Sequence, residues 1–355
     1  MKHAVLLAGG DYDRARAGSG PQPEFARIAE VLNADILSYG SGASRRGAWF
    51  ARLFDKRRVW GAAVEMALAS RKYDRIYATG EDIGVRAAML LRAVGWRGRM
   101  IMVVHNANAK RARQLRTIAG AMVDAFIVVS EEQAEILREG GIPPALVRRA
   151  NYWMDTDFFK PDPSLDTSAS GINFVACGAE NRDYDTLRKA VEICGLKTSV
   201  FGHGFFGENV AGKGADGNAN YVLMPRVPFT ELRAAYQRAT AVVVPLHDGQ
   251  YAAGLTGLLE AMAMGCIAIV SASPGIKEYL TQIDPRLIVP TANPQALADV
   301  MRMVAADPAQ FADQKARNRE WVVANSSVAS NAYFVSALMA DAQSRAIEAA
   351  SMNGR

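Results

Sequence analysis

The chain has 355 residues, of which 50% are hydrophobic and 22% are charged, and the formal net charge is +5. This length exceeds the roughly 250–300 residues that one hydrophobic core supports, so two domains are expected, and the apolar content excludes a disordered chain. The sequence has no apolar run of about 18 residues, so it predicts no transmembrane helix, and its first residues resemble a buried strand rather than a signal peptide. Three cysteines without metal or disulfide spacing favour a reduced, cytoplasmic setting.

Positive charge is concentrated in the first half of the chain. Residues 1–160 carry 25 Lys and Arg against 17 Asp and Glu, whereas residues 161–355 carry 16 against 19. Within the first half, residues 44–61 combine six basic residues and one acid with interleaved aromatic rings, a pattern that suits a helix on an anionic membrane surface. The residues assigned to membrane or acceptor binding are Arg45, Arg46, Trp49, Phe50, Phe54, Lys56, Arg57, Arg58 and Trp60.

Two other interpretations of this basic segment remain open. It would also fit a solvated helix whose aromatic residues face the core. Nucleic acid is the other common partner of a basic patch, but no nucleic-acid motif accompanies this one and the second half of the chain is acidic, so no nucleic-acid partner is expected. A further basic run follows at Lys110, Arg111, Arg113 and Arg116.

Short apolar runs alternate with helical patterns along the first half, which predicts a parallel sheet covered on both faces. The predicted strands are His3–Ala8, Ala34–Ser38, Arg75–Thr79, Met100–His105 and Ala125–Ser130. The predicted helices include Pro23–Leu32, Ala62–Ser70 and Glu131–Glu139. Candidate ligand positions follow the strands, because α/β sheets bind ligands beyond their carboxyl ends; they are Gly9-Gly10, Gly80-Glu81-Asp82 and His105-Asn106.

A second alternating set follows a Pro-, Ser- and Asp-rich stretch that predicts a linker. Its predicted strands are Asn173–Cys177, Thr198–Phe201, Tyr221–Met224, Ala241–Pro245, Ile267–Val270 and Leu287–Val289. Its predicted helices include Tyr184–Cys194, Phe229–Arg238 and Thr256–Met264, with further helices over Pro308–Met352. The expected division is a first domain at 1–160, a linker at 161–171, a second domain at 172–325, and a helical tail at 326–355 that returns to the first domain.

The stretch Val242–Tyr279 carries the strongest chemical signal. A buried strand ends at Pro245, a polar loop follows, and Gly254-Leu255-Thr256 opens a helix that contains Glu260. Free N–H groups at a helix start bind phosphate oxygens, and a carboxylate one turn further on can accept hydrogen bonds from a ribose diol. The alternative is an ordinary strand–loop–helix unit with a capping Thr and a solvated Glu.

Several motifs of this chain, in order, resemble family 4 glycosyltransferases, which have the GT-B fold of two facing Rossmann-like domains. The donor-binding segment is similar at Gly254-Leu255-Thr256 and Leu259–Gly265. Ser130–Pro161 is similar to the end of the family's first domain, and Gly178–Leu187 is similar to the loop that opens its second domain. The resemblance covers most of the chain and implies an α/β GT-B architecture with parallel sheets and a cleft between the domains.

The resemblance also implies roles for individual residues. Glu260 would bind the donor ribose, and the backbone of Gly254, Leu255 and Thr256 would hold the diphosphate. Arg182 occupies the place of a family lysine that contacts the same diphosphate; the alternative is a surface ion pair with Asp183 or Asp185.

Further donor contacts are expected at the ends of other strands. Gly9 and Gly10 match a glycine turn near the phosphates, where the alternative is a plain strand-ending turn. His105 would contact the donor sugar or position the acceptor, and His247 would border the sugar. One departure stands out: the family has a second glutamate eight positions before Glu260, where this chain has Ala252.

The resemblance implies a retaining hexosyltransferase that uses a nucleotide-diphosphate sugar, with UDP favoured by its prevalence in the family, and that needs no metal or further cofactor. A membrane lipid such as diacylglycerol is the favoured acceptor, which implies bacterial glycolipid synthesis at the inner face of the cell membrane. A polysaccharide or soluble acceptor remains open, as does a GT-B protein that binds nucleotide without turnover. An epimerase is disfavoured because its acid pairs are not evident in the sequence, and a phosphorylase because it would normally need a cofactor lysine in a much longer chain.

Overall fold

The computed structural model describes residues 2–8, 20–41, 58–165, 171–202 and 218–353, with side chains as far as residue 341. The chain divides into two compact units. The first comprises residues 1–18, 22–151 and 328–355, and the second comprises residues 19–21 and 152–327.

The first unit contains a six-stranded parallel sheet with the order β2-β1-β3-β4-β5-β6. Its strands are β1 (His3–Leu6), β2 (Asp35–Leu37), β3 (Arg75–Ala78), β4 (Arg99–Val103), β5 (Val123–Val128) and β6 (Val147–Arg149). Its helices begin with α1 (Glu24–Leu32), α2 (Arg58–Ala69), α3 (Glu81–Ala93), α4 (Ala109–Arg116) and α5 (Glu131–Glu139). The register pairs His3 with Arg75 and Leu6 with Ala78, and it shifts once between β4 and β5.

The second unit repeats this architecture with the order β12-β11-β10-β7-β8-β9, again with every neighbouring pair parallel. Its strands are β7 (Phe174–Cys177), β8 (Thr198–Phe201), β9 (Tyr221–Leu223), β10 (Ala241–Val244), β11 (Ala268–Ser271) and β12 (Ile288–Val289). Its helices are α6 (Tyr184–Cys194), α7 (Phe229–Arg238), α8 (Leu255–Ala263), α9 (Lys277–Leu280), α10 (Pro294–Ala306) and α11 (Ala312–Asn325). The last helix, α12 (Val328–Asn353), groups with the first unit and packs against α1.

Short 3-10 turns supplement these elements at Ser70–Lys72, Pro144–Leu146, Pro274–Ile276, Pro285–Leu287 and Pro308–Phe311. The central strands β3, β7, β10 and β11 are buried along their whole lengths. Continuous burial is what a parallel strand needs when helices cover both faces of its sheet. The hydrophobic core of each unit therefore lies on both sides of its sheet.

The predicted α/β fold class is confirmed, and each predicted strand appears with its ends within two residues of the expected ones. The expected start of α2 was wrong, because the helix begins at Arg58 rather than Ala62. The strand β6 was not expected, since two of its three residues are arginines and it carries no apolar run.

Each sheet reverses its strand order at one place. In the second unit the chain runs from β7 to β8 on one side, and later returns through α7 to β10 on the other side of β7. In open α/β sheets, ligands bind beyond the carboxyl ends of the strands at such a switch point. The carboxyl ends of β7 and β10 are therefore the first place to look for a ligand site.

Candidate active site

The carboxyl ends of β7 and β10 bring together the strongest sequence-predicted residues of the second unit. We call this group, which comprises Gly178, Arg182, His247, Gly254 and Glu260, the β7–β10 site. Arg182 follows β7, His247 follows β10, and Gly254 and Glu260 belong to the start and body of α8. The fold thus places residues that are more than 80 positions apart in sequence around one switch point.

Arg182 is buried but takes no part in an ion pair within the described part of the chain. Its side chain is held by main-chain carbonyl groups: Nε donates to the Cys177 oxygen at 2.9 Å and Nη1 to the Glu180 oxygen at 2.9 Å. The residue is only 9% exposed, so water does little to screen its charge. Neutral acceptors orient the guanidinium without neutralising it, which leaves its charge available to an anion.

The surface ion pair considered for Arg182 is absent among the described residues. Asp183 instead caps α6, where its Oδ1 accepts from the Thr186 N–H at 2.9 Å. Its Oδ2 accepts from the Thr186 hydroxyl at 2.7 Å and lies 3.7 Å from Nδ1 of His247. These contacts commit Asp183 to the helix cap because its two carboxylate oxygens already serve Thr186.

The loop that carries Arg182 is fixed to the loop that precedes α8. Asp183 N–H donates to the Pro245 carbonyl at 3.0 Å, and His247 N–H donates to the Asn181 carbonyl at 3.2 Å, which forms an isolated antiparallel bridge between Arg182 and Leu246. The Leu246 N–H donates to the hydroxyl of Ser271 on β11 at 3.0 Å. The two loops therefore hold one geometry at the switch point.

The helix α8 begins without a side-chain cap. Gly254 occupies the N-cap position with φ +90° and ψ −15°, and as a glycine it has no side chain that could cap the first turn. A Cβ at this position would lie 2.8 Å from the Leu246 side chain, so both the backbone angle and the packing require glycine. The first N–H groups of the helix have no intrahelical acceptor and carry the positive end of its dipole.

Arg182 lies against this first turn. A Cβ added at Gly257, in the first turn of α8, would sit 3.4 Å from Arg182 Nη2 and 3.1 Å from Cys177 Sγ. A Cβ added at Gly178 would sit 2.7 Å from the same Nη2 atom. Glycines on both sides leave room for the guanidinium beside the helix start. An arginine charge and a helix dipole converge there, which is the electrostatic arrangement of an anion site.

Glu260 is buried in the body of α8. Its Oε2 accepts a hydrogen bond from the Tyr236 hydroxyl at 2.7 Å and lies 3.9 Å from Cys177 Sγ, whereas Oε1 has no hydrogen-bond partner among the described residues. Burial is the main cause that raises the pKa of Glu260 to about 7, while the Tyr236 hydrogen bond, the Arg182 charge and the Cys177 thiol each act to lower it. The alternative of a solvated Glu is therefore wrong, because this carboxylate is 5% exposed.

The remaining predicted residues of the second unit differ in their exposure to solvent. The side chain of His247 is 56% exposed. Thr256 is exposed and donates to the Tyr152 hydroxyl at 3.4 Å, so the expected capping Thr is replaced by the Gly254 N-cap. Leu255 is buried and Ala252 is partly buried in the loop before α8.

His105 of the first unit belongs to a separate hydrogen-bonded group at the end of β4. Its Nε2 lies 2.8 Å from the Thr79 carbonyl oxygen, and its own carbonyl accepts from Gln133 Nε2 at 2.7 Å. The buried Glu81 carboxylate accepts from the N–H groups of His105 at 2.9 Å and Asn106 at 3.3 Å. A carbonyl accepts only, so Nε2 carries the proton and Nδ1 is left as an acceptor.

Some predicted positions lie outside the described residues. They are Gly9, Gly10, Arg45, Arg46, Trp49, Phe50, Phe54, Lys56 and Arg57. The two described members of the basic segment, Arg58 and Trp60, both sit in α2. The Arg58 guanidinium lies 5.9 Å from the Tyr39 ring centroid. Trp60 is half-buried, and its ring centroid lies 5.5 Å from the Arg86 guanidinium.

Across the described ranges, no group of three or more His, Cys, Asp and Glu side chains is arranged to hold a metal ion. No helix in the part of the chain that the structure describes combines the length and apolar character of a membrane span.

Two functional contacts were missed from the sequence. Tyr236 is fully buried on α7 and Cys177 ends β7, and both touch Glu260 Oε2. A weak signal existed for Tyr236, because a tyrosine inside an otherwise apolar helix face must find a partner for its hydroxyl when it is buried. Nothing in the sequence spacing indicates which partner that is.

Part of the chain matches a family of known enzymes. Residues 167–307 match the profile of the family "Glycosyl transferases group 1", and these residues include all of the β7–β10 site. The second unit thus contains a segment that is similar to this family. No curated protein matches the chain in sequence.

Solved structures of GT-B glycosyltransferases share the fold over nearly the whole chain. HepE of Anabaena, solved with UDP, has a TM-score of 0.69 at 14% identity, covering 96% of this chain and 100% of its own. Sucrose-phosphate synthase of Thermosynechococcus elongatus has a TM-score of 0.67 at 14% identity, covering 97% and 100%. The α,α-trehalose 6-phosphate synthase of Burkholderia multivorans has a TM-score of 0.62 at 11% identity, covering 98% of each chain. These likenesses establish the GT-B architecture of two α/β domains.

Proposed function

We propose that this protein is a glycosyltransferase that moves a hexose from a nucleotide-diphosphate sugar, with UDP as the favoured nucleotide, to an acceptor. The observation that carries the proposal is the buried Arg182 guanidinium, which forms no ion pair with any described residue and lies beside the start of α8. A diphosphate needs two or more charges of this kind, and the site offers an arginine and a helix dipole together. The family profile over 167–307 supports the same conclusion independently.

Glu260 supplies the second recognition element of the donor. Its Oε2 is anchored by Tyr236, so Oε1 is oriented to accept hydrogen bonds from the two ribose hydroxyls. The choice of UDP is supported by two HepE structures, one solved with UDP and one with UDP-glucose. Their TM-scores against this chain are 0.69 and 0.65. On this proposal Arg182 binds the diphosphate of the donor and Glu260 binds its ribose.

The same residues would favour cleavage of the donor. When the bond between sugar and diphosphate breaks, negative charge develops on the leaving oxygen. Arg182 and the start of α8 would stabilise that charge where it forms, in surroundings that exclude water and strengthen the interaction. The chain would need no metal ion at this step because the protein supplies the positive charge.

The reaction is proposed to retain the configuration of the sugar, with the acceptor attacking the face from which the diphosphate leaves. We assign His105 to this stage as a contact of the donor sugar or the acceptor hydroxyl. The Nε2 proton is held by the Thr79 carbonyl, so Nδ1 is the atom that can accept a hydrogen bond from a hydroxyl group.

A lipid is the proposed acceptor, and diacylglycerol is the simplest candidate. The support is the basic and aromatic composition of residues 44–61, which suits the inner face of an anionic membrane. On this proposal the protein is cytoplasmic and binds the membrane peripherally. The test is sedimentation with anionic liposomes, which neutralisation of Arg45, Arg46, Arg57 and Arg58 should abolish; unchanged sedimentation would contradict the membrane proposal.

Turnover of a panel of nucleotide sugars tests the activity itself. Release of nucleotide is measured with and without anionic liposomes that contain diacylglycerol. Release that rises with liposomes supports a glycolipid synthase, whereas release that rises only with soluble sugars supports a polysaccharide or soluble acceptor. Failure to bind any nucleotide would contradict the proposed function.

Ala252 favours a second candidate, a nucleotide-binding protein without turnover. The resembling family has a glutamate at this position for the transferred sugar, and an alanine methyl group provides no hydrogen bond. Binding of UDP without sugar transfer to any acceptor would select this candidate. Transfer activity that increases in an Ala252→Glu variant would show instead that the substitution limits donor use.

A further inference from the structure

The phenol of Tyr236 joins the candidate ribose-binding carboxylate to the core of the second unit. Tyr236 lies on α7 and is fully buried, and its hydroxyl donates to Glu260 Oε2 at 2.7 Å. Since that single proton is committed to the carboxylate, the close contact between this hydroxyl and Cys177 Sγ must be donated by the thiol. A chain of hydrogen bonds therefore runs from the β7 thiol through the α7 phenol to the α8 carboxylate.

The direction of these hydrogen bonds determines the orientation of the Glu260 carboxylate. Tyr236 and Cys177 both approach Oε2, and no described side chain bonds Oε1. The Tyr236 hydroxyl donates to this oxygen, and the Cys177 thiol in turn fixes the phenol by donating to it. This arrangement restricts rotation of the carboxylate, so the lone pairs of the other oxygen point in a defined direction. A hydroxyl pair of a ligand can then bind without first ordering the side chain.

From this geometry we infer that Tyr236 is a positioning residue for nucleotide recognition, acting on the ribose through Glu260. The inference rests on the proposed function, because it assumes that Glu260 binds the ribose of the donor. It adds a residue whose side chain does not meet the nucleotide itself. The Cys177 thiol contacts the Tyr236 hydroxyl, and the Cys177 carbonyl accepts a hydrogen bond from Arg182 Nε at 2.9 Å. One residue at the end of β7 thus connects the ribose and diphosphate contacts.

The charge state of Glu260 gives this inference a second readout. The titratable groups that face Glu260 are the Arg182 guanidinium from the β7–α6 loop, the Tyr236 phenol from α7 and the Cys177 thiol from β7. Burial raises the pKa of Cys177 to about 12 and that of Tyr236 well above its ordinary value, so both stay protonated donors at neutral pH. Removal of the phenol should therefore raise the pKa of Glu260, since its hydrogen bond favours the charged carboxylate.

The test compares Tyr236→Phe with Tyr73→Phe. The control removes an equivalent hydrogen bond, from the Tyr73 hydroxyl to Asp35 Oδ2 at 2.8 Å, in the first unit. UDP affinity is measured by calorimetry between pH 5.5 and 9. Tyr236→Phe should weaken UDP binding about tenfold at pH 7 and move the pH midpoint of binding upward, whereas Tyr73→Phe should leave both unchanged.

A second measurement keeps the test decisive if Tyr236→Phe does not fold. Replacement of Tyr236 by 3-fluorotyrosine keeps the ring and makes the hydroxyl a stronger donor, so the pH midpoint of UDP binding should move downward. A midpoint that stays at the parent value in the folded variants would overturn the inference, even if affinity falls, because loss of packing alone does not change the charge state of Glu260. If the parent protein binds no UDP at any pH, the proposed function itself fails, which separates the two outcomes.

Discussion

Arg182 lies buried near Glu260, yet these two described residues form no salt bridge with each other. The Arg182 charge still acts on Glu260, since it is one of the causes that lower the pKa of the carboxylate against the effect of burial. Main-chain oxygens of Cys177 and Glu180 orient the guanidinium instead. If the two side chains paired, each would satisfy the other and neither would serve a ligand. On the proposed function, their separation would leave one cation and one anion for the two ends of a nucleotide.

Replacement of Arg182 should remove most of the affinity for UDP. Arg182→Gln keeps a hydrogen-bond donor but loses the charge and the fork of the guanidinium, and a hydrogen bond to a charged group contributes about 1.5–3 kcal/mol. We expect UDP to bind about 10- to 100-fold more weakly in calorimetry, with uridine binding changed much less. The matched control is Arg188→Gln on α6, where the arginine is paired with Glu192 at 2.6 Å. Equal losses in both variants would contradict a role for Arg182 at the diphosphate.

Binding of UDP should strengthen as the pH rises through about 7. The pKa of Glu260 is raised to about 7, mainly by burial, and only the carboxylate form accepts hydrogen bonds from both ribose hydroxyls. The UDP phosphate also titrates below neutral pH, so the informative quantity is the ratio of affinities between the parent and Glu260→Gln. This ratio should be near its lowest at pH 5.5 and rise to a plateau above pH 8. A ratio independent of pH would show that Glu260 does not meet the ligand.

The same carboxylate should lower the stability of the folded protein at high pH. The pKa of Glu260 is about 7 in the folded protein and 4.5 in a solvated chain, so the folded state holds this proton more tightly. Its contribution to the free energy of unfolding is complete below about pH 4.5 and falls as the pH rises to about 7. Glu260→Gln should therefore be more stable than the parent at pH 8, by on the order of 3 kcal/mol, and equal to it near pH 4.5. Urea unfolding at the two pH values measures the difference.

The sequence and the structure agree where local patterns decide the outcome. Continuous apolar runs predict β7 and β10 because a strand buried on both faces can carry no polar alternation. The position of Arg182 follows from its place directly after β7, beyond the carboxyl end of the strand. Whether this arginine forms an ion pair does not follow from the sequence, since Asp183 and Asp185 lie close by in the chain and only the α6 cap shows that Asp183 is otherwise occupied.

Contacts between distant elements were beyond the sequence. Tyr236 meets Glu260 where both side chains reach Cys177 at the end of β7, and no spacing rule predicts a contact between side chains on two different helices. The three residues of β6 were missed for another reason: Arg148 and Arg149 make the segment read as a polar loop, while its pairing with β5 fixes it as an edge strand. Local composition thus predicted most of the strands and helices, whereas tertiary packing determined which side chains are in contact.

Space around Arg182 is the basis of the last prediction, which concerns Gly178. A methyl group here would lie 2.7 Å from Arg182 Nη2, in a residue whose φ is +89°, so Gly178→Ala should displace the guanidinium and strain the backbone. The matched control is Gly195→Ala at the end of α6, where φ is +70° and no heavy atom lies within 4 Å of the added carbon. Both variants should lose about 1 kcal/mol of stability from the backbone angle. Only Gly178→Ala should also weaken UDP binding, by roughly the amount that Arg182→Gln does.

Because Gly178→Ala and Arg182→Gln act on one contact, the variant that combines them should bind UDP no more weakly than either single variant. Additive losses in calorimetry would mean that Gly178 affects the ligand by another route.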